Sequence, residues 1–203
     1  EDEPEIDPDL IQKYSGIARR KAERLESLIN EFFEITRFST HKLSLEPVKT
    51  NLSRMLMQIT YEFNPILTEK KLQWDLQIPE NIEIVCDRDK LERAIDNLIR
   101  NAINYSYADT RIFFSLTQVD ETVRICVQNK GQTIPSEKLE RIFEQFYRVD
   151  ASRSSDTGGA GLGLAIAKEI IELHHGTISA YSENETIQFV IQLPIDCHKI
   201  VRT

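Results

Sequence analysis

Three cysteines and four histidines are few for 203 residues, and each shortage excludes something. Cys86, Cys126 and Cys197 are an odd number with no C-x-x-C spacing, so the chain carries no disulfide framework. Cys86 and Cys126 stand in apolar, strand-like stretches, as buried reduced thiols of a cytosolic protein do. His41, His174, His175 and His198 have no second His or Cys at ligand spacing, and no structural metal site is expected. Positive charge is also scarce, with 25 basic residues against 33 acids and a net charge of −8. Phosphate backbones need concentrated positive charge, so no nucleic-acid partner is expected. No run of about 18 apolar residues is present, so no membrane contact by this segment is expected. No charged-then-apolar signal segment opens it either. The first residue is Glu1 rather than Met, which reads as a piece of something longer.

What is present divides at Lys42. Asp7-Pro8-Asp9 reads as a helix start, with an acid at the cap and proline at the first helical position. Ile11, Tyr14, Ala18, Lys21, Leu25, Leu28, Phe32 and Ile35 then follow at alternating steps of three and four, a heptad seam broken only by Lys21. Leu10, Ile17, Ala22, Ile29 and Phe33 form a second stripe beside it, so this one long helix is read as part of a bundle or coiled coil with partners from another chain or from upstream sequence, the alternative being a helix folded onto its own domain. Residues 1–41 are therefore read as one unit and 42–203 as another.

The second unit alternates strands and helices. A short strand is predicted around Leu45 to Lys49, then a helix carrying Leu52, Met55, Leu56, Ile59 and Phe63. Leu72, Trp74, Leu76 and Ile78 alternate strictly, and Pro79-Glu80-Asn81 turns the chain into Ile82 and Ile84. Asp87 caps a helix that buries Leu91, Ala94, Ile95, Leu98 and Ala102. Ile112-Phe114-Leu116 and Val123-Ile125-Val127 alternate on either side of Asp120-Glu121. A helix from roughly Gly161 to His175 stops at Gly176, and two last strands run through Ile178, Tyr181, Ile187, Phe189, Ile191 and Leu193. Hairpin-like turns outnumber long crossovers, which argues a two-layer α/β sandwich: an antiparallel-rich sheet with helices on one face.

Four stretches carry chemistry. Gly158, Gly159, Gly161 and Gly163 are four of only seven glycines, clustered where a polar loop becomes a helix. Such a helix start offers free N–H groups to phosphate, yet Leu164 and Ala165 stand where a P-loop needs Lys then Ser/Thr. Asn97 and Asn101 lie four apart, with Asn104 and Tyr105 on the same side of the helix. Amides beside an apolar stripe are costly to bury without partners, and their oxygens suit Mg²⁺ and its phosphates. A solvated face accounts for Asn104 but poorly for the other two. Asn129 to Pro135 ends a strand, where a polar side chain can read an adenine edge and Gly131 permits close approach. Arg141 to Arg148 is an aromatic cluster ending in a guanidinium suited to phosphate.

In this order and spacing, these residues resemble the catalytic ATP-binding domain of sensor histidine kinases, the GHKL or Bergerat fold. Asn97 to Tyr105 looks like its N box, Asn129 to Pro135 its first glycine box, Phe143 to Arg148 its F box, and Gly159-Ala160-Gly161-Leu162-Gly163-Leu164 its second glycine box. The similarity covers about Lys42 to Pro194. Phe32 to Arg37 looks like the second helix of the dimerisation and phosphotransfer region, and with Phe146 through Ile171 it looks most like the vancomycin-resistance sensors.

The resemblance implies ATP and Mg²⁺ as ligands. Asn101 would hold Mg²⁺ with support from Asn97, Tyr105 would pack along the nucleotide, and Asn129 would bind adenine. Arg148 and the amides of the second glycine box would contact phosphates, and Ser136 to Gly158 would close as a lid. Asn104, Gly131, Ile134 and Tyr147 complete the ATP-binding set.

Two residues depart from the family pattern: Asn129 where Asp is usual and Thr133 where Gly is usual. An Asn carbonyl still accepts from the adenine amino group, without the charge. The family's His-Glu-x-x-Thr-Pro phosphoacceptor motif is missing, since none of the four histidines precedes Glu. The acceptor is therefore expected upstream of Glu1, and this chain by itself is not expected to autophosphorylate. Further implied are a response-regulator receiver domain, a second kinase subunit bound through the bundle helix, and a place on the cytoplasmic side of a plasma-membrane sensor. The competing readings are a GHKL-type hydrolase, which needs a Glu base where Asn97 stands, and an inactive interaction module.

Overall fold

The computed structural model describes residues 10–19, 21–22, 25, 29, 44–149 and 161–197. The expectations at Asp7-Pro8-Asp9, at Leu28, at the helix residues beyond Ile29 and in the loop through Gly159 and Ala160 lie outside them. The chain divides into two units, Glu1–His41 and Lys42–Thr203. In the first, the described residues are helical (α1), and Leu10, Ile11, Tyr14, Leu25 and Ile29 are exposed.

The second unit runs β1 (Val48–Asn51), α2 (Leu52–Glu62), α3 (Asn64–Glu69), β2 (Gln73–Gln77), β3 (Glu83–Cys86), α4 (Arg88–Tyr105), β4 (Arg111–Val119), β5 (Thr122–Lys130), α5 (Gly163–Leu173), β6 (Thr177–Glu183) and β7 (Thr186–Pro194). Five strands form one sheet in the order β2-β4-β5-β7-β6, antiparallel except for β2 on β4. Helices α4 and α5 pack together, α4 against β5 and α5 against β6, which gives the two-layer sandwich. Alternation puts Ile112, Phe114 and Leu116 of β4, Val123, Ile125 and Val127 of β5, and Ile187, Phe189, Ile191 and Leu193 of β7 into the core. Each full burial of such a side chain contributes about 1.5–3 kcal/mol.

α4 forms where its cap and its stripe predict. Asp87 Oδ1 accepts from Lys90 N at 3.1 Å, a cap of about 1 kcal/mol. Its buried face is Leu91, Ala94, Ile95, Leu98 and Ala102, widened by Ile99 and Ile103. Asp87 Oδ2 also accepts from Glu46 N at 3.0 Å and from Lys90 Nζ, and Asp87 N donates to His174 Nε2 at 3.0 Å. One residue thereby ties the segment before β1, the start of α4 and the end of α5.

Two boundaries differ from expectation, at the first strand and at α5, and β2 and β3 do not form a hairpin. The first strand lies at Val48–Asn51, not Leu45 to Lys49, because Asn51 Oδ1 caps α2 through Arg54 N at 2.8 Å and so sets where strand gives way to helix. β2 does not pair with β3. It pairs in parallel with β4, where Trp74 packs near Phe114 at 6.2 Å, while Trp74 Nε1 donates to Thr60 O of α2 at 3.0 Å. β3 instead pairs with β1 and with the segment after β7, where Val85 N donates to Ile195 O at 2.7 Å. α5 starts at Gly163 rather than Gly161, since Gly161 takes φ +77° and cannot be a helical residue.

The stop of α5 works differently too. His175, not Gly176, takes the left-handed conformation at φ +58°. Gly176 is required for space: a Cβ there would meet Gln192 O at 2.4 Å and Leu193 Cδ2 at 2.6 Å. The free thiols are all buried, and burial, partly offset by a bond with Thr50, pushes Cys86 up to about 11.

This corner of the fold can be tested in two ways. Gly176→Ala should destabilise by about 1–3 kcal/mol through overpacking, whereas His175→Gly should stabilise by up to about 1 kcal/mol by relieving the left-handed strain, both read by denaturant unfolding. The second test concerns acid. Burial holds His174 below its ordinary 6.5, outweighing the opposing pull of the Ile170 carbonyl and Asp87. The unfolded chain thus takes up the proton first, so stability should fall as pH drops below about 6.5, and His174→Gln should remove that component of the pH curve.

Candidate functional site

The polar residues singled out in the sequence are carried by α4, the end of β5 and the loop after it, and the segment that leads into α5. A 3.6-residue period sets Asn97, Asn101 and Asn104 on one face of α4, beside its apolar stripe. All three are half-buried. Asn97 Nδ2 is buried with no hydrogen-bond partner among the described residues, and Asn97 Oδ1 lies 3.2 Å from where a Cβ on Gly163 would stand. The start of α5 therefore abuts Asn97, and any side chain at position 163 would press on that amide.

α5 begins without a side-chain cap: Leu162 precedes it and offers none. Among the described residues no side chain caps its first N–H groups, and a helix start of that kind favours negative charge. Leu162 is 1% exposed, so its side chain belongs to the core, and Leu164 is half-buried. What this stretch can offer a ligand is chiefly backbone.

Asn129 stands near the end of β5. Val123, Ile125, Val127 and Asn129 share one face of β5, the one packed on the helices, so an amide occupies the next place in an apolar row. It is 2% exposed, and neither Oδ1 nor Nδ2 has a partner among the described residues. A buried amide left unpaired costs about 1–3 kcal/mol. Two residues on, Gly131 allows β5 to meet the end of α4: a Cβ at Gly131 would lie 2.2 Å from Tyr105 O. That contact brings Tyr105, partly open to solvent at 38% exposure, beside the Asn129 strand end.

The departure at Thr133 has a structural use. Its Oγ1 accepts from Glu185 N at 2.9 Å, while Ile134 N donates to Ser182 Oγ at 2.9 Å. Both bonds pin this loop to β6 and to the turn that leads from it into β7. Ile134 is half-buried.

The aromatic segment closes the ring of elements. Phe143 meets Phe189 of β7 edge-on at 6.4 Å, and Ile142 is buried. Phe146 N donates to Gly161 O at 3.0 Å, and Gly161 approaches so closely that a Cβ there would lie 2.9 Å from Tyr147 O. The Arg141 guanidinium lies over the Tyr147 ring at 4.3 Å, a cation–π contact that orients the ring. Arg148 is half-buried. Gly159 and Ala160 lie outside the described residues.

Sequence reading missed one group at this site. Lys70, at the end of α3, donates through Nζ to Asn104 Oδ1 at 2.8 Å. The pair is separated by 34 residues, and no local pattern joins them.

The model of the histidine kinase-, DNA gyrase B- and HSP90-like ATPase family matches residues 86–196. The sequence is 49% identical over 193 residues to sensor protein VanSC of Enterococcus gallinarum, covering 95% of this chain and 53% of that protein. It is 44% identical over 191 residues to sensor protein VanS of Enterococcus faecium, covering 94% and 50%. The chain thus spans about half the length of the curated relatives it matches. The crystal structure of histidine kinase ThkA in complex with response regulator protein TrrA shares the fold, with a TM-score of 0.74 at 24% identity, over 98% of this chain and 54% of that one.

An amide kept for a ligand should cost the empty protein stability. Asn129→Leu is expected to raise the unfolding free energy of the ligand-free chain by about 1 kcal/mol in urea unfolding. A comparable fall would mark Asn129 as structural instead.

Proposed function

The chain belongs to the histidine kinase-, DNA gyrase B- and HSP90-like ATPase family, and from that membership we propose that it is the ATP-binding part of a vancomycin-resistance-type sensor histidine kinase. In this reading it binds Mg-ATP and donates the γ-phosphoryl group to a histidine, for onward transfer to a response regulator. The observation that carries the reading is the buried Asn129 amide, unpaired at both atoms, on a strand that Gly131 brings against the helix of Asn97 and Asn101. An apolar core gains nothing from such a group; a nucleobase edge gives it partners.

Mg²⁺ fits the residues present. Neutral amide oxygens are hard donors of the kind it takes, and the Asn101 amide makes no hydrogen bond among the described residues. Asn101 would hold the ion with Asn97 in support, and the ion would offset phosphate charge.

The protein's own groups do the positioning. Uncapped amides at the start of α5, with Gly159 to Leu164, donate to phosphate oxygens, and Arg148 adds positive charge. Lys70 contributes an ammonium held by Asn104. Tyr105, Ile134 and the Tyr147 ring steadied by Arg141 line the nucleotide. Phosphoryl transfer of this kind is mostly orientation and charge neutralisation, so the site needs no general base of its own. Asn97 cannot serve as one, and water is therefore a poor acceptor here.

Partners follow from the same reading. The TrrA complex belongs to ThkA; by analogy a receiver domain is proposed for this protein. The exposed apolar residues of α1 would meet a second subunit, and the VanSC and VanS likeness supports the cytoplasmic part of a vancomycin-resistance membrane sensor.

Calorimetric titration of ATP with and without Mg²⁺ tests the reading. Binding should strengthen with the metal, and Asn101→Ala should weaken Mg-ATP binding at least about tenfold, or 1.4 kcal/mol. No binding to the unaltered chain would favour an interaction module, and rapid steady-state phosphate release would favour a hydrolase.

A further inference from the structure

Among the described residues, Asn129 alone has both polar atoms of its side chain buried and unpartnered. That leaves its orientation open. The two ends of a carboxamide differ only in that Oδ1 accepts and Nδ2 donates, and rotation by half a turn exchanges them. In most buried amides a neighbouring group chooses between the two. Among the described residues no hydrogen bond does so here, since neither Oδ1 nor Nδ2 has a partner.

A free amide at this point suits two base edges equally. With Oδ1 forward it accepts from the 6-amino group of adenine. With Nδ2 forward it donates to the 6-oxo group of guanine or hypoxanthine. A carboxylate in the same place can only accept, so it would favour the amino group and oppose the oxo group, whose lone pairs it would face. A buried group left facing an unmatched partner is what makes hydrogen-bonding sites reject near-analogues strongly.

We propose that this site takes 6-oxopurine as well as 6-aminopurine nucleoside triphosphates, and that Asn129 sets this breadth. The inference rests on reading the site as a nucleotide site. It concerns only the base, since the uncapped α5 amides and the paired asparagines would treat the triphosphate alike whatever base it carries.

Inosine triphosphate is the cleanest probe, because it differs from ATP in the 6-oxo group and the hydrogen on N1 and lacks the extra amino group of guanine. ATP, ITP, GTP and UTP are titrated with Mg²⁺ into the full chain and into Asn129→Asp, with each protein's folding checked by circular dichroism. The expected result is ITP affinity within tenfold of ATP for the unaltered chain, and a ratio widened at least tenfold in Asn129→Asp, chiefly by loss of ITP. ITP weaker than ATP by more than tenfold in the unaltered chain overturns the proposal. So does a ratio that folded Asn129→Asp leaves unchanged, or UTP binding as well as ATP, which would mean that the base is not read. Should Asn129→Asp fail to fold, the ITP-to-ATP ratio of the unaltered chain decides alone. Failure of every nucleotide to bind removes the nucleotide reading itself, an outcome distinct from selective loss of ITP.

Discussion

The hydrogen bonds at Asp87 hold in place the two helices from which the site is built. Its carboxylate caps α4 and takes the Glu46 amide, and its own amide reaches His174 at the end of α5. Burial alone would raise its pKa, but the Lys90 side chain and the Glu46 and Lys90 amides outweigh that and leave it below the ordinary carboxylate range. The charge is therefore kept, partly buried, where three segments meet. α4 carries the asparagines and α5 its uncapped N–H groups, so their mutual placement depends on this corner although no ligand would touch it. Charge-assisted bonds are the stronger class, which suits them to fix one arrangement among several that apolar packing would tolerate.

Around this anchored pair of helices, the site is assembled through places where a side chain would not fit. Gly131 lets β5 reach Tyr105 O, Gly161 lets the aromatic segment close, and Gly163 lets α5 reach Asn97. Each contact needs a missing Cβ more than conformational freedom; only Gly161 combines the two. Beside these close contacts, buried amide atoms of Asn97 and Asn129 have no partner among the described residues. Buried polar groups are satisfied in the great majority of cases, so the unpaired amide atoms of Asn97 and Asn129 stand out among the described residues.

Much of the fold is legible in the order of residues alone. The α4 stripe and its Asp87 cap, the alternation of β4, β5 and β7, and the sandwich they build all follow from periods of 3.6 and 2. Asn129 is legible twice over, as a strand-end polar residue and as the next position after Val123, Ile125 and Val127. The illegible features have a common character. The His175 left-handed stop stands beside a glycine that looks like the stop, and only the approach of Gln192 O reveals what Gly176 is for. β2 follows the same alternation whether it pairs with β3 or β4, and only the assembled sheet shows that it pairs with β4.

The order of residues alone marks which residues are helical, which alternate, where α4 is capped, and which family the chain belongs to. Those properties depend on neighbours within a turn or a pleat, or on motifs a few residues long, so a short window contains their cause. Tertiary structure decided that Lys70 reaches Asn104, that Thr133 braces Glu185, and that no described residue pairs with Asn129. These join residues tens of positions apart or concern a partner that is absent. Their cause is the packing of whole elements against one another, where excluded volume and unsatisfied polar atoms, rather than periodicity, select the outcome.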